Sequence, residues 1–176
     1  THERLRQYER ATVGPVVQAV ARTRTSPTPA ARANLAVSLA VSAVGDTVNV
    51  RVPNLNTGKD ICKDFIAIKG VVRASSTRAT IVEDVASPSG GFTTTDYNAI
   101  AQEFDNLIFP TDTSWFGKPT DINSDGRVTI LYTPEVNKLT PSGSSGFTAG
   151  LFFGSDLIKK SEYPSTNECR NQTNEQ

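Results

Sequence analysis

Oxygen-bearing positions alternate along one short segment of the sequence. They are Asp121, Asn123, Asp125, Arg127 and Thr129, and Arg127 would offer only its backbone carbonyl. Hard oxygen ligands at every second position are typical of a loop that wraps one Ca²⁺ ion, and Gly126 stands where such a loop must reverse sharply. We therefore predict a calcium site at these five positions.

This segment is not an EF-hand. Tyr132 occupies the position where an EF-hand loop places a bidentate glutamate, and the segment leads into a β-branched run rather than a helix. Two interpretations remain open. Either a distant carboxylate such as Glu135 completes a calcium loop, or the Asp-Gly pair forms an ordinary hairpin turn.

Histidine-dependent catalysis is excluded for this chain taken alone. Its single histidine is His2, far in sequence from every other candidate residue. The serines of the glycine-rich stretch at 140–146 therefore have no imidazole to activate them. Glu83 and Asp84 are neighbours on a predicted strand, so their side chains point to opposite faces and cannot share one acid–base reaction. We assign no catalytic residue to this chain.

The two cysteines, Cys62 and Cys169, are far apart in sequence, and neither has a near partner that would suggest a metal or redox motif. They form either a long-range disulfide or two unpaired thiols. A surface rich in Ser, Thr and Asn, with no methionine in the chain, favours an exported protein and hence the disulfide.

Composition narrows the class of protein. The chain has 176 residues, 37% hydrophobic and 20% charged, with 18 basic and 18 acidic side chains. This is a globular composition with no net field to attract nucleic acid, and the aromatic residues are not interleaved with basic ones. No apolar run reaches the roughly 18 residues that a membrane span needs. The chain begins at Thr1, so we expect it to be mature or cut at its front.

Period-two patterns predict strands through the first half of the chain. Leu35–Val41 and Val48–Val52 alternate around the turn signal Gly45-Asp46, which predicts one hairpin. Runs at 65–73 and 78–85 predict a second hairpin. Further strands are expected at 128–133 and 147–153, and Gly150 in the last of them suggests a bulge or a close backbone approach.

One amphipathic helix is predicted after the hairpins. Its apolar positions recur at helical spacing and predict one core-facing stripe. They are Tyr97, Ile100, Ala101, Phe104, Leu107 and Ile108. Thr95 is the expected N-cap, and Pro110 is expected to end the helix. A weaker helix over 1–22 is interrupted at Gly14-Pro15.

These elements predict an α+β fold in which β-rich hairpins precede a mixed sheet with a backing helix. We divide the chain into a leader or weak helix at 1–33, a β-rich region at 34–90, and an incomplete peptidase-like subdomain at 91–176. From Ser161 onward the pattern predicts no regular structure.

Several phrases in the second half resemble the secreted bacterial zinc metallopeptidases of the hyicolysin type. They are Ala101–Asp112, Asp121–Gly126, Val128–Leu139, Gly146-Phe147 and Gly150–Phe153. The resemblance covers about residues 60–176. It implies a zincin-like N-terminal subdomain whose sheet lies above a cleft, with the helix at 95–109 behind it.

In that family such phrases precede a helix bearing an HExxH motif, whose histidines hold zinc and whose glutamate activates water. This sequence has no HExxH, so the resemblance implies that zinc and the catalytic helix belong to a longer protein, beyond the end of this chain. The function implied is the non-catalytic N-terminal portion of a secreted or cell-surface bacterial zinc metalloendopeptidase acting on proteins or peptides. The alternative is a stand-alone, calcium-stabilised β-rich binding or adhesion module.

Overall fold

A mixed four-stranded sheet with one helix packed across it forms the centre of the computed structural model. The structure describes residue 3 and residues 6–7, 10–11, 14–23, 42–55, 62–140, 142–171 and 174. The strands are β1 (Thr47–Pro53), β2 (Phe65–Ser75), β3 (Ala79–Asp84) and β4 (Val128–Tyr132), in that spatial order. The predicted α+β class is confirmed.

The first three strands form an antiparallel meander. β2 pairs with β3 as predicted, with a bulge between Val72 and Ala74. β1 pairs with β2 across its whole length, from Thr47 opposite Val71 to Pro53 opposite Phe65. The predicted partner strand Leu35–Val41 lies outside the described residues.

The fourth strand runs parallel to β3 and is reached through a helical connection. That connection comprises α2 (Thr94–Glu103), a π-helical turn (Phe104–Ile108) and α3 (Phe109–Phe116). A parallel pair requires such a crossover, because the chain must return to the same end of the sheet. β4 therefore joins the predicted 91–176 region to the strands of the 34–90 region. The proposed division of the chain stays a prediction.

The start of α2 differs from the sequence prediction. Thr93, not Thr95, is the N-cap: its hydroxyl accepts the Asp96 N–H, while the Asp96 carboxylate accepts the Thr93 N–H at 2.7 Å. These two reciprocal bonds satisfy two backbone N–H groups at the start of the helix. Thr95 cannot do this, because it lies within the first turn. The hydroxyl and amide of Thr93 hold the pKa of Asp96 below its ordinary value.

The predicted end of the helix at Pro110 is wrong. The Phe109 N–H bonds to the carbonyl of Phe104, five residues back, so the hydrogen-bond ladder has already shifted where the proline enters. Pro110 then occupies the first turn of α3, where a missing N–H costs little, and the helix continues to Phe116.

The predicted apolar stripe packs on the sheet only along its first half. Tyr97 and Ala101 are buried in a cluster with Ala74 and Ile81. Leu107, by contrast, is 58% exposed, and Ile108 is also exposed. The wider π-helical turn rotates the later side chains away from the sheet, so the helical spacing no longer tracks one face.

A second apolar cluster is built mainly by the last third of the described chain. Its buried members are Leu55, Cys62, Leu139, Phe153, Ile158, Tyr163 and Cys169. Cys62 and Cys169 form a disulfide within it, as the exported-protein interpretation predicts. Short 3₁₀ turns lie between or at the later members, at Gly154–Leu157, Lys160–Glu162 and Glu168–Asn171. The turn at Glu168–Asn171 shows that the expectation of no regular structure after Ser161 is wrong.

Two smaller predictions also fail. The segment 147–153 is not a strand: Phe147 is 82% exposed, whereas Phe153 is buried and Leu151 packs beside it. Gly14-Pro15 begins a helix, α1 (Gly14–Thr23), instead of interrupting one, because proline fits a first helical turn. A further short helix, α4 (Pro134–Asn137), follows β4. No helix in the described part of the chain is long and apolar enough to cross a bilayer.

The glycine that a neighbouring group approaches closely is Gly70 in β2, not Gly150. A Cβ at Gly70 would overlap Cγ1 of Val82, whereas no heavy atom of the described residues lies within 4 Å of a Cβ built at Gly150. We expect Gly70→Ala to lower the free energy of unfolding by about 1–3 kcal/mol through overpacking. Gly150→Ala should change it by less than about 0.5 kcal/mol. Urea unfolding of both variants tests this, and equal stabilities would contradict the assignment.

Candidate functional site

The oxygen-rich segment folds into a compact loop held by its own side chains. The Asp121 carboxylate accepts the Gly126 N–H at 3.0 Å, and the Asp125 carboxylate accepts the Arg127 N–H at 2.8 Å. Asn123 Oδ1 accepts the Asp125 N–H at 3.4 Å. These bonds turn three side-chain oxygens toward the inside of the loop.

The backbone reversal that the sequence predicts is present. Gly126 has a φ of 76°, a left-handed value that glycine adopts without strain. Ser124 also has a positive φ, of 60°, so the loop reverses over two nearby residues. The conformation is that of a tight oxygen-lined turn leading directly into β4.

The five predicted ligands do not all face one space. Asn123, Asp125 and Thr129 line one polar cavity of about 520 Å³. Asp121 and Arg127, again with Thr129, line a second cavity. Thr129 is thus the position common to both.

The carboxylate count at the loop is two. Across the described ranges, no three side chains of His, Cys, Asp or Glu converge as a metal-binding group would. Glu135, the distant candidate for the missing charge, pairs with Lys138 at 2.6 Å. A cation here would use Asp121, Asp125 and neutral oxygens, which suits a hard ion such as Ca²⁺ and gives fewer charges than a complete calcium loop.

The loop is tied to the β2–β3 turn through Arg127. Its Nε donates to the Ser76 carbonyl at 2.5 Å, and the Val128 N–H donates to the Arg78 carbonyl at 2.8 Å. Sequence spacing assigned Arg127 only a backbone role. Its side chain instead fixes the position of the loop against the sheet.

Asp105, which lies in the π-helical turn, holds the β2–β3 turn from the side of the helix. Its carboxylate accepts the Ser76 hydroxyl at 2.9 Å and the N–H groups of Thr77 and Arg78 at 3.0 and 2.9 Å. Arg78 also lies over the Phe109 ring, 5.1 Å from its centre. The loop, the hairpin turn and the helix therefore form one hydrogen-bonded unit.

A cavity of about 450 Å³ lies on the sheet face opposite α2. The strand register places Val52, Ile66 and Leu131 on this face, and all three line the cavity. Leu139, Leu151 and Phe153 line it from the other side. The cavity was not predicted from the sequence, although the alternation of Val48, Val50 and Val52 indicates an apolar face that needs a covering element.

Two tyrosines and a phenylalanine meet on the helix face of the sheet. The rings of Phe92, Tyr97 and Tyr132 pack edge to face with centres 5.4 to 5.8 Å apart. Burial, followed by the hydrogen bond to Glu83 and the charge of Glu83, raises the pKa of Tyr97 to about 12, against a smaller opposing effect of Arg73.

This pKa shift makes stability depend on alkaline pH. Folding keeps Tyr97 protonated to about pH 12, whereas an exposed tyrosine ionises near 10.0, so the contribution is complete below pH 10.0 and is lost as pH rises toward 12. We expect the unfolding free energy of Tyr97→Phe to fall less steeply over this window. Urea unfolding at several pH values measures both slopes, and identical slopes would contradict the prediction.

Comparison with known proteins gives one informative similarity. Residues of this chain are 36% identical over 87 residues to the neutral metalloprotease ShpI of Staphylococcus hyicus. The similar protein is a metalloprotease. The aligned part covers 43% of this chain and 19% of that protein's length. No family model matches the chain.

The similarity supports a metallopeptidase-like relationship for part of this chain. The sequence itself does not contain the ligands of a catalytic zinc site. His2 is the sole histidine and lies outside the described residues, and both cysteines are in the disulfide. The donor set of this chain therefore does not fit a catalytic zinc site, which needs three protein ligands of the His, Glu or Cys type.

Proposed function

We propose that this chain is the non-catalytic scaffolding portion of a secreted bacterial zinc metalloendopeptidase of the hyicolysin type. The similarity to a neutral metalloprotease, over a segment that is 19% of that protein's length, is the observation that carries the proposal. The peptide-bond hydrolysis and the zinc then belong to the longer protein. The substrate class is a protein or peptide.

The asymmetry of the sheet supports this role. One face is covered by α2, with Tyr97 and Ala101 buried against Ile81. The other face carries an apolar cavity large enough to admit several side chains. Burial of apolar surface is worth about 25 cal/mol per Å², so a segment with a complementary apolar face would gain stability by packing there. We assign that place to the segment that bears the zinc ligands.

The disulfide supports export. Disulfides persist in oxidising compartments and are rare in the cytosol. Cys62 and Cys169 are both buried, at 4% and 0% exposure, within one apolar cluster. We therefore propose secretion or display at the bacterial surface.

The function is tested by supplying the missing part. The gene downstream of Gln176 should encode an HExxH motif within a few tens of residues. The continuation, expressed separately and mixed with this chain and Zn²⁺, should cleave a peptide substrate, whereas this chain with Zn²⁺ should not. The matched control is the continuation with the HExxH glutamate changed to glutamine, which should stay inactive.

Two results would contradict the proposal. A stop codon directly after Gln176 would favour the calcium-stabilised binding module instead. The other is peptide cleavage by this chain alone. If that activity persisted after repurification and did not come from a contaminating protease, the chain would carry its own catalytic groups.

The 121–129 loop has a structural role in this proposal, as a calcium site that holds β4 in place. We expect Ca²⁺ at a hundredfold excess over its dissociation constant to raise the unfolding free energy by about 2.7 kcal/mol. Asp125→Asn should reduce that gain, because the amide oxygen can still accept the Arg127 N–H while one ligand charge is lost. Thermal unfolding with and without Ca²⁺ measures it.

The control for the calcium test is Asp112→Asn, which removes an acidic charge from α3, outside the loop. Its response to Ca²⁺ should equal that of the unchanged protein. An absent calcium response, or a full response in Asp125→Asn, would leave the loop as a plain hairpin turn.

A further inference from the structure

The side chain of Asn174 is bonded to the edge of β1 as a strand residue would be. Its Oδ1 accepts the Arg51 N–H at 2.9 Å, and its Nδ2 donates to the Arg51 carbonyl at 2.9 Å. One primary amide thus satisfies both backbone groups of a single edge residue. That is the pattern of a hydrogen-bonded pair in an antiparallel ladder.

Asn174 is oriented for this role by Asp156. The Asp156 carboxylate accepts the Asn174 backbone N–H at 2.7 Å and the Nδ2 of the same residue at 3.1 Å. The side-chain amide of Asn174 therefore donates one Nδ2 hydrogen to Asp156 and the other to Arg51. Burial is the largest effect on the pKa of Asp156 and raises it above its ordinary value, although the two bonds from Asn174 act in the opposite direction.

The chain that delivers Asn174 is anchored to the body of the fold. The turn Glu168–Asn171 carries Cys169, which the disulfide joins to Cys62 just ahead of β2. Asn174 follows three residues after that turn. We call Glu168–Asn171 together with Asn174 the clasp.

The clasp sits on the outer edge of β1, on the side away from β2. Among the described strands, β1 is an end strand of the sheet. Residues in an antiparallel strand alternate in the direction of their N–H and C=O groups, so Asn49 and Thr47 present theirs on the same side as Arg51. Exposed groups of this kind are a template for another strand, which proteins commonly block with charges, proline or a covering segment.

We propose that the clasp keeps the β1 edge closed to a second copy of this chain. Two β1 strands related by a two-fold axis at Val50 would place Asn49 opposite Arg51 of the second copy. Val48 would then face Val52 of the second copy, on the apolar side of the sheet. This register pairs no like charges, so the strand is complementary to itself and a second copy is the occupant that the clasp excludes.

The experiment is to remove the Asn174 amide while the disulfide stays intact. In Asn174→Ala, the Arg51 amide hydrogen should exchange roughly tenfold faster at low protein concentration, as expected when one hydrogen bond is lost. At higher concentration, sedimentation should show a dimer or larger species that the unchanged protein does not form. The matched control Asn137→Ala, at an exposed asparagine on α4, should behave as the unchanged protein.

A second variant keeps the test decisive. Asn49→Lys added to Asn174→Ala would place a positive charge opposite Arg51 of the second copy, and it should restore the monomer. Self-association that persists in this double variant would overturn the proposed register. An Asn174→Ala protein that stays monomeric with an unchanged Arg51 exchange rate would overturn the clasp itself. Neither result bears on the peptidase proposal.

Discussion

Replacing both cysteines by serine should lower the free energy of unfolding by about 4–5 kcal/mol, through the loss of a cross-link that closes a very long loop. Cys62 and Cys169 are separated by 107 residues. A disulfide over such a separation removes much of the conformational entropy of the unfolded chain. Since domains of this size are stable by only about 5–15 kcal/mol, the loss is a large fraction of the total.

Urea unfolding of Cys62→Ser/Cys169→Ser measures this loss. The unchanged protein, reduced and alkylated in denaturant, is the control and should refold with similarly low stability. A dithiol reductant should then have no further effect on the double variant. A loss below about 1 kcal/mol would mean that the unfolded chain is already compact, or that the buried cluster around Cys169 tolerates serine without the cross-link.

Shortening Ile81 should have the next largest effect. Ile81 is fully buried at the centre of β3, between Ala74 and the helix residues Tyr97 and Ala101. Ile81→Ala should cost about 3–4 kcal/mol from lost apolar burial and a residual cavity, and Ile81→Val about 1 kcal/mol. The graded pair separates a packing effect from a change of strand propensity, since valine is as favourable in strands as isoleucine.

Val85 gives the matched comparison for Ile81. It lies just beyond the end of β3 and is 57% exposed, so Val85→Ala should change the unfolding free energy by less than about 0.5 kcal/mol. Urea unfolding of the three variants gives the comparison. Equal losses in Ile81→Ala and Val85→Ala would show that the helix does not pack on β3 as described.

The strands could be predicted wherever one face had to be buried. β2 and β3 are rich in β-branched residues, which favours strands at both places. In the fold, β2 buries every second residue over most of its length, whereas β3 is buried on both faces. Phe147–Phe153 shows the limit of the same signal. It has no partner strand among the described residues, and local pattern cannot report pairing with distant segments.

The helix shows two different kinds of failure. Thr93 was within reach of sequence reasoning, because a threonine three residues before Asp96 fits the capping-box spacing. The π-helical turn was not, since it accompanies the contact of Asp105 with Ser76, Thr77 and Arg78, far away in sequence. Propensity rules see only the neighbours of a residue along the chain.

The candidate site was predictable in composition but not in position. Alternating oxygens identified the 121–129 loop, and its reversal at Gly126 follows from the need for a left-handed residue. The attachment of Arg127 to Ser76 depends on the packing of β4 beside β3. The cavity at Val52, Ile66 and Leu131 likewise depends on three strands that meet only in the folded protein.

The parallel pairing of β3 with β4 also sets the order in which the sheet can assemble. The β2–β3 hairpin closes over a few residues, whereas β4 must wait until a connection with three helical segments has compacted. A contact between distant residues requires the intervening loop to lose conformational entropy before the contact itself stabilises the chain. Such contacts therefore form late and slowly. The docking of β4 is therefore expected to be the rate-limiting step of folding. A nascent chain that ends before β4 would leave the edge of β3 unpaired, so that it could pair wrongly with another chain.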